Sequence, residues 1–403
     1  MKKSLRFLMA AVMVSISSSS IFAADPNTVG YKFSVSKGGA KFSFEVLTPC
    51  VIEGEETTYG TAKLYKFTQN EDSPLTEVTS SYVSSLSLTS GYKYRIVEIA
   101  DGVFKDQAAI TKVAASAYVK KIGASAFEGC SGVAQFQFDV VQEIGENAFK
   151  DCSAASAKIY FLGSQAPTVG NGAFDGIASN AQIRFNITKV TPEHLNNFSA
   201  YSSKLRVYIP FSKTSGYIKL MNCQVPLKLS DPEENLNIYY VKSATETETG
   251  LNVELGALQT GEFNIPANTA LIYQYKGTSE SPALIRNFLS SDPTPSYTNL
   301  LIANKEKVTL PASDGKTNYY VFTPADITSK ESNADLSFTK VTEETAVAAG
   351  EGYLKIVNDG TGISKVMMNT DGKDVMLYDL NGHRVNDNYK GIIIMNGKKH
   401  LKK

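Results

Sequence analysis

"KKIGASAFEGC", residues 120–130, is followed by "QEIGENAFKDC" at 142–152, and the two stretches share an Ile-Gly, an Ala-Phe and a trailing cysteine in register. Sliding the motif along the chain gives two further copies. Ile99-Ala100, Val103-Phe104 and Gln107 form an earlier one, and Val169-Gly170, Ala173-Phe174 and Ile177 a later one. The phenylalanines Phe104, Phe127, Phe149 and Phe174 are 23, 22 and 25 residues apart. A period in that range is one turn of a solenoid, whose inner positions stack on those of the neighbouring turns. After each copy comes a short alternating segment: Val113-Ala114-Ala115, Phe136-Gln137-Phe138, Ile159-Tyr160-Phe161 and Ile183-Arg184-Phe185. Alternation turns the outer two residues of each trio to one face of a strand, and strands of successive coils lie roughly 4.8 Å apart.

Cys130 and Cys152 hold the position that Gln107 and Ile177 occupy in the flanking copies. A site that takes isoleucine as readily as cysteine is most simply a packing site, because a free thiol behaves as a small apolar group. A disulfide or a metal is the alternative. Cys50 and Cys223 lie outside the repeat, show no CxxC spacing and have no histidine beside them to complete a zinc set. A bridge between them is permitted in an exported chain, with nothing in the sequence to require it.

The pattern Ile-Gly-x-x-Ala-Phe-x-Gly/Asp-Cys followed by an alternating strand resembles the BspA-like leucine-rich repeat family of bacterial surface proteins. The likeness covers about 99–186 and weakens at both ends, where Ala100 and Gln107 replace glycine and cysteine in the first copy and Ile177 replaces cysteine in the last. Degenerate end coils are what a solenoid should show. The resemblance implies adhesion to host or cell-surface proteins.

Outside the repeat, Lys2, Lys3 and Arg6 precede an apolar stretch and a serine run ending in Ile21-Phe22-Ala23-Ala24, the order of a secretory signal peptide over 1–23. No cysteine follows that cleavage point to accept a lipid. Without those three charges the 40 basic residues fall to 37 against 40 acidic ones, so no basic excess exists to neutralise a phosphate backbone and nucleic acid is excluded as a partner. Abundant Tyr and Phe, with β-branched residues between Asn, Asp, Gly and Pro clusters, predict a mostly β fold. The expected architecture is a short leucine-rich-repeat solenoid flanked by an N-terminal β region and a C-terminal antiparallel β-sandwich. Residues 24–98, with "YKFSV", "KFSFEV" and "TAKLYKF", are expected to cap the solenoid over 99–186. A second cap is placed at 187–224: Thr191-Pro192 starts a helix, "KLRVYIP" is a strand and "SGYIKLMN" a short helix. Alternating runs from "LNIYYVKS" to "EGYLKIV" predict the sandwich over 225–365. In 366–403, two Asn-Gly pairs between strand-like runs predict hairpins. The string Leu377 to Val385 with the lysine-rich end resembles the C-terminal sorting segment of type IX secretion substrates; completion of the sandwich is the alternative reading.

Little in the chain points to chemistry. His194, His383 and His400 have no nucleophile motif or His-Glu-x-x-His pair beside them, and adjacent glutamates such as Glu55-Glu56, Glu233-Glu234 and Glu343-Glu344 read as solvated surface. No catalytic, metal or cofactor site is expected. The face of the solenoid remains, with Gln137, Tyr160 and Arg184 pointing outward as candidate ligand-binding residues. The reading is a secreted or cell-surface, non-enzymatic protein binder. One alternative is a glycan-binding or glycan-processing protein using Tyr239, Tyr240, Tyr273, Tyr275, Tyr319 and Tyr320 of the 225–365 region, and another is an architectural surface component.

Overall fold

The computed structural model describes residues 25–358 apart from 54–55, 89, 116, 215, 230–235, 249, 259–262, 278–282 and 331–334, and beyond these the backbone of five short strands between 364 and 402. The leader expected over 1–23 lies outside the described residues. The protein is mostly β, with one short α-helix and one 3-10 segment among the described residues.

Each repeat supplies two strands. The short ones, Lys121–Ile122, Glu143–Ile144 and Thr168–Val169, pair in parallel with one another and with Lys93–Ile99. The longer ones, Lys112–Ala114, Gln135–Phe138, Lys158–Phe161 and Gln182–Asn186, form a second parallel sheet. Ile99, Ile122, Ile144 and Val169 are thus consecutive rungs on one side, while Val113, Phe136, Ile159 and Ile183 are rungs on the other. All eight residues predicted to face inward from the alternating trios are buried.

The turn between the two strands explains the motif. Gly102, Ser125, Asn147 and Gly172 share a left-handed backbone with φ of 62°, 53°, 54° and 65°, and four residues later Asp106, Gly129, Asp151 and Gly176 repeat it. Only Gly, or a short polar residue, enters that region at low cost. The glycine of Ile-Gly has a different cause, since a Cβ on Gly123, Gly145 or Gly170 would come within 2.5 Å of the backbone nitrogen of Asp101, Ala124 or Glu146 in the preceding coil. Ala100 is tolerated because the segment before it is not a copy of the motif; there the Ala100 N–H donates to Leu64 O at 2.9 Å.

The phenylalanines form one column. Phe104, Phe127, Phe149 and Phe174 are at most 1% exposed, their centroids are 5.2, 5.4 and 5.0 Å apart, and their planes are within 11° of parallel. Such pairs add about 0.5–1.5 kcal/mol each beyond the area they bury. The column is longer than the four copies read from the sequence. Phe67 continues it at one end, 4.8 Å from Phe104, and Phe198 at the other, 5.7 Å from Phe174, both tilted where the motif ends.

Strands outside the repeat cover both ends of the stack. Gly60–Gln69 pairs in parallel with Lys93–Ile99, and Ala40–Thr48 and Lys32–Lys37 extend that sheet antiparallel. At the far end Leu205–Pro210 adds a parallel rung to Gln182–Asn186, and Ala283–Phe288 then pairs antiparallel with it. An unpaired edge is a template for aggregation, and here a segment from far along the chain fills it.

Pro192–Asn197 is the helix announced by Thr191-Pro192, but "SGYIKLMN" is not helical. Ile218–Met221 is a strand paired antiparallel with Leu271–Tyr275, because burial of Ile218, Leu220 and Met221 against distant partners overrides local preference. This strand, Leu271–Tyr275, Leu236–Thr247 and Gly250–Ala257 make one sheet; Ile302–Ala303, Gly352–Asn358, Thr317–Phe322, Phe338–Lys340 and Ser364–Val366 make another. The two share a core of Ile218, Leu220, Val241, Ile272, Tyr320, Leu354 and Ile356. Near the C-terminus, Leu377–Tyr378 pairs with Arg384–Val385 and Gly391–Met395 with Lys398–Lys402, all antiparallel; the Asn-Gly residues between them lie outside the described residues.

Candidate binding face

The long-strand sheet turns two rows of side chains outward. One runs Lys112, Gln135, Lys158, Gln182 and the other Ala114, Gln137, Tyr160, Arg184, Arg206, each residue register-paired with the next. The three candidates Gln137, Tyr160 and Arg184 are therefore consecutive members of one row. They are not equally open. Gln137 and Tyr160 are half-buried, whereas Arg184 is only 2% exposed.

Arg184 is covered by its own row and the one beside it. Its Nη1 donates to the Tyr160 hydroxyl at 2.6 Å, and its Nε and Nη2 both donate to Gln182 Oε1 at 3.0 and 2.7 Å. The guanidinium lies 5.2 Å from the Tyr160 ring centroid, a cation–π distance, and Tyr208 meets Tyr160 edge-on at 5.4 Å. Burial lowers the Arg184 pKa, contact with Tyr160 opposes that, and the like charge of Arg206 adds to it. Arg206 is shifted the same way by burial and donates to the carbonyls of Ser203 and Leu205 at 3.0 and 2.7 Å. Burial also pushes Tyr208 up to about 12, so its hydroxyl stays protonated.

Charge on this face is mostly positive. Lys112, Lys158, Arg184 and Arg206 stand in the two rows against one carboxylate, the exposed Glu77 register-paired with Lys112 at the edge of the sheet, and none of the four cations forms an ion pair among the described residues. Like charges directly opposite one another on a sheet are destabilising. On the short-strand side the charges are balanced, with Lys121 bridging Glu143 at 3.0 Å. The alternating trios point to Gln137, Tyr160 and Arg184 but not to Lys158, which stands two residues before Tyr160 on its own strand, nor to Arg206, whose place appears only once "KLRVYIP" is set in register with Gln182–Asn186.

The remaining candidates are elsewhere. Cys130 and Cys152 are free and buried, and their thiols donate to Phe104 O and Phe127 O of the preceding coil at 2.9 and 3.1 Å. Burial pushes the Cys130 pKa up to about 12 and raises that of Cys152. Cys50 and Cys223 are free as well, so the permitted bridge is not formed. His194 is fully buried; its Nδ1 accepts from the Thr191 N–H and meets the Thr191 hydroxyl, while Nε2 has no partner. Glu343 and Glu344 are exposed, and the other two glutamate pairs fall wholly or partly outside the described residues. Tyr273, Tyr275 and Tyr320, proposed as sugar-stacking rings, are at most 6% exposed and pack in the cores. No group of three metal-ligating side chains occurs among the described residues.

Residues 97–219 match the family model of the BspA type leucine rich repeat region, in six copies. That span is less than a third of the chain, and it takes in both Phe198 and the rung Leu205–Pro210, which the four sequence copies had left out. No curated protein and no solved structure matches the chain. No described helix is long and apolar enough to cross a membrane.

Proposed function

We propose that the chain is an exported or cell-surface, non-enzymatic binding protein whose long-strand face adheres to proteins of a host or another cell. The observation that carries this reading is the pair of adjacent rows in which Lys112, Lys158, Arg184 and Arg206, none of them in an ion pair among the described residues, stand among half-buried aromatic and amide side chains held in register by the sheet. A flat array of this kind favours a partner whose contact surface is acidic, since complementary charge steers encounter and fixes register. Repeats of this family support the protein-binding part of the reading. Tyr160 and Arg206 are of the residue types that dominate binding energy at interfaces.

The test is an array of extracellular proteins and glycans probed with the chain and with a Lys158→Glu/Tyr160→Ala double variant. Binding to one or more proteins, reduced tenfold or more in the variant and weakened by salt, is the expected result. Binding confined to glycans, or indifferent to the double variant, rejects the face. Export through the C-terminal segment is tested separately by deleting 375–403 and fractionating cells; unchanged surface display rejects that route.

A further inference from the structure

A cavity of about 530 Å³ lies where the end of the coil stack meets the two C-terminal sheets. Asn186 and Thr188 border it from the last turn of the stack, and Lys219 and Met221 from the strand Ile218–Met221. Phe322 and Val347 complete its apolar wall, and Ile327, 44% exposed, stands at its rim. A concave site walled by apolar side chains with a few polar groups among them is the usual setting for a small ligand.

The polar groups of the cavity are unbalanced. Lys219 is half-buried, its pKa is lowered by burial alone, and it forms no ion pair among the described residues. The carboxylate on the lining, Glu351, accepts the Ala348 N–H at 3.1 Å and forms no ion pair with Lys219. A cation removed from water without a counter-charge is costly. The strand that carries Lys219 is also an edge strand of its sheet. Its outward N–H groups at Ile218 and Asn222 donate to Ile327 O at 3.2 Å and Gly350 O at 2.8 Å. Because N–H directions alternate along a strand, the Leu220 N–H between them faces the same open side.

We propose that this cavity binds an apolar molecule carrying a single carboxylate, with the Lys219 ammonium as its counter-charge, the Leu220 N–H as a second donor, and Met221, Phe322 and Val347 around its apolar part. Two sources share this chemistry, a free fatty acid and the C-terminal carboxylate of a peptide ending in an apolar residue.

Titration calorimetry of the full chain with decanoate, decanol, a tetrapeptide ending in leucine as its free acid, and the same peptide as its amide tests the assignment. At least one acid is expected to bind, with its neutral counterpart tenfold or more weaker, and Lys219→Met is expected to lose tenfold or more for that acid. Binding of decanoate alone assigns the fatty-acid source and binding of the peptide acid alone the chain terminus, and either supports the site. Neutral and acid forms binding equally, or neither acid binding up to its solubility limit, overturns it. A readout that needs no variant is acetylation of wild-type lysines followed by mass spectrometry. The acid that binds should slow modification of Lys219 and leave the exposed Lys305 unaffected, and equal slowing or none at either residue overturns the assignment.

Discussion

The coil stack and the paired sheets beyond it are built from similar strands but held together differently. Within 99–186 equivalent side chains meet from one coil to the next, as in the column Phe104, Phe127, Phe149, Phe174. Within 218–358 the contacts join unlike residues far apart in sequence. The carboxylate of Glu246 accepts from Asn318 Nδ2, Asn358 Nδ2, Lys340 Nζ and the Tyr320 hydroxyl. Asn222 Nδ2 likewise donates to Asn304 O and Glu351 O at 3.0 and 3.1 Å. Cohesion in the first region is a sum of nearest-neighbour terms; in the second it is concentrated in a few polar hubs.

The comparison breaks most visibly at Phe127, whose ring is sandwiched by Phe104 at 5.2 Å and Phe149 at 5.4 Å. Phe127→Ala should cost about 3–5 kcal/mol and interrupt the column at its middle, whereas Phe198→Ala removes a tilted ring that meets the column on one side only, at Phe174, beside Phe161 and Phe185, and should cost less. Urea titrations of both variants measure this. Equal losses at the two positions would show that coil-to-coil stacking is not the source of cohesion.

Acid should separate the two regions in pH. His194 beneath the end of the stack has its pKa lowered to about 4 by burial. Between about 6.5, its unfolded value, and 4 the unfolded chain binds a proton that the folded chain does not, so stability is full above 6.5 and falls by about 3 kcal/mol on the way down to 4. His194→Gln retains an acceptor for the Thr191 N–H, as in a capping box, and should flatten that part of the pH profile. At Glu246 burial acts to raise the pKa, but hydrogen bonds from Asn358, Tyr320, Asn318 and Lys340 together hold it below the usual range. Its contribution is present above the unfolded value of about 4.3 and is lost as pH falls through the lowered folded value. Glu246→Gln, which sets an amide N–H against a ring of donors, should cost about 1–3 kcal/mol at neutral pH. Thermal melts across pH 3–8 check both; a profile unchanged by His194→Gln would dissociate the acid response from this ring.

How much of this was legible in the sequence follows the same division. The ring column, the buried trios and the thiol positions were readable because each is repeated, and comparing copies distinguishes a packing position from a reactive one. Phe67 and Phe198 were missed since neither is embedded in the motif: Phe67 ends the alternating run "TAKLYKF" and Phe198 follows a helix. In the other region nothing repeats. Whether "YIKLM" is helix or strand is decided by its pairing with Leu271–Tyr275, and no local pattern reports that. The candidate face stands between these cases. Alternation placed Gln137, Tyr160 and Arg184 on one side, but the closure of Tyr160 and Gln182 over the guanidinium depends on rotamers that only the neighbouring strands fix.

The smallest expected effect sharpens the comparison at the cysteines. Cys130 and Cys152 sit at equivalent points of successive coils, and each thiol reaches back to the carbonyl of the preceding phenylalanine. Since the thiolate is the nucleophile and burial holds both pKa values far above neutrality, iodoacetamide at pH 8 should leave both unmodified in the folded chain and label both in denaturant. Cys152→Ala removes one sulfur from a dry site and a weak hydrogen bond, a loss of about 1 kcal/mol. If that loss instead rivalled Phe127→Ala, the sulfurs would be binding the coils together as strongly as the rings do. A position that Gln107 and Ile177 fill in the outer copies argues for the smaller figure, because a group essential to the stack could not be exchanged so freely along it.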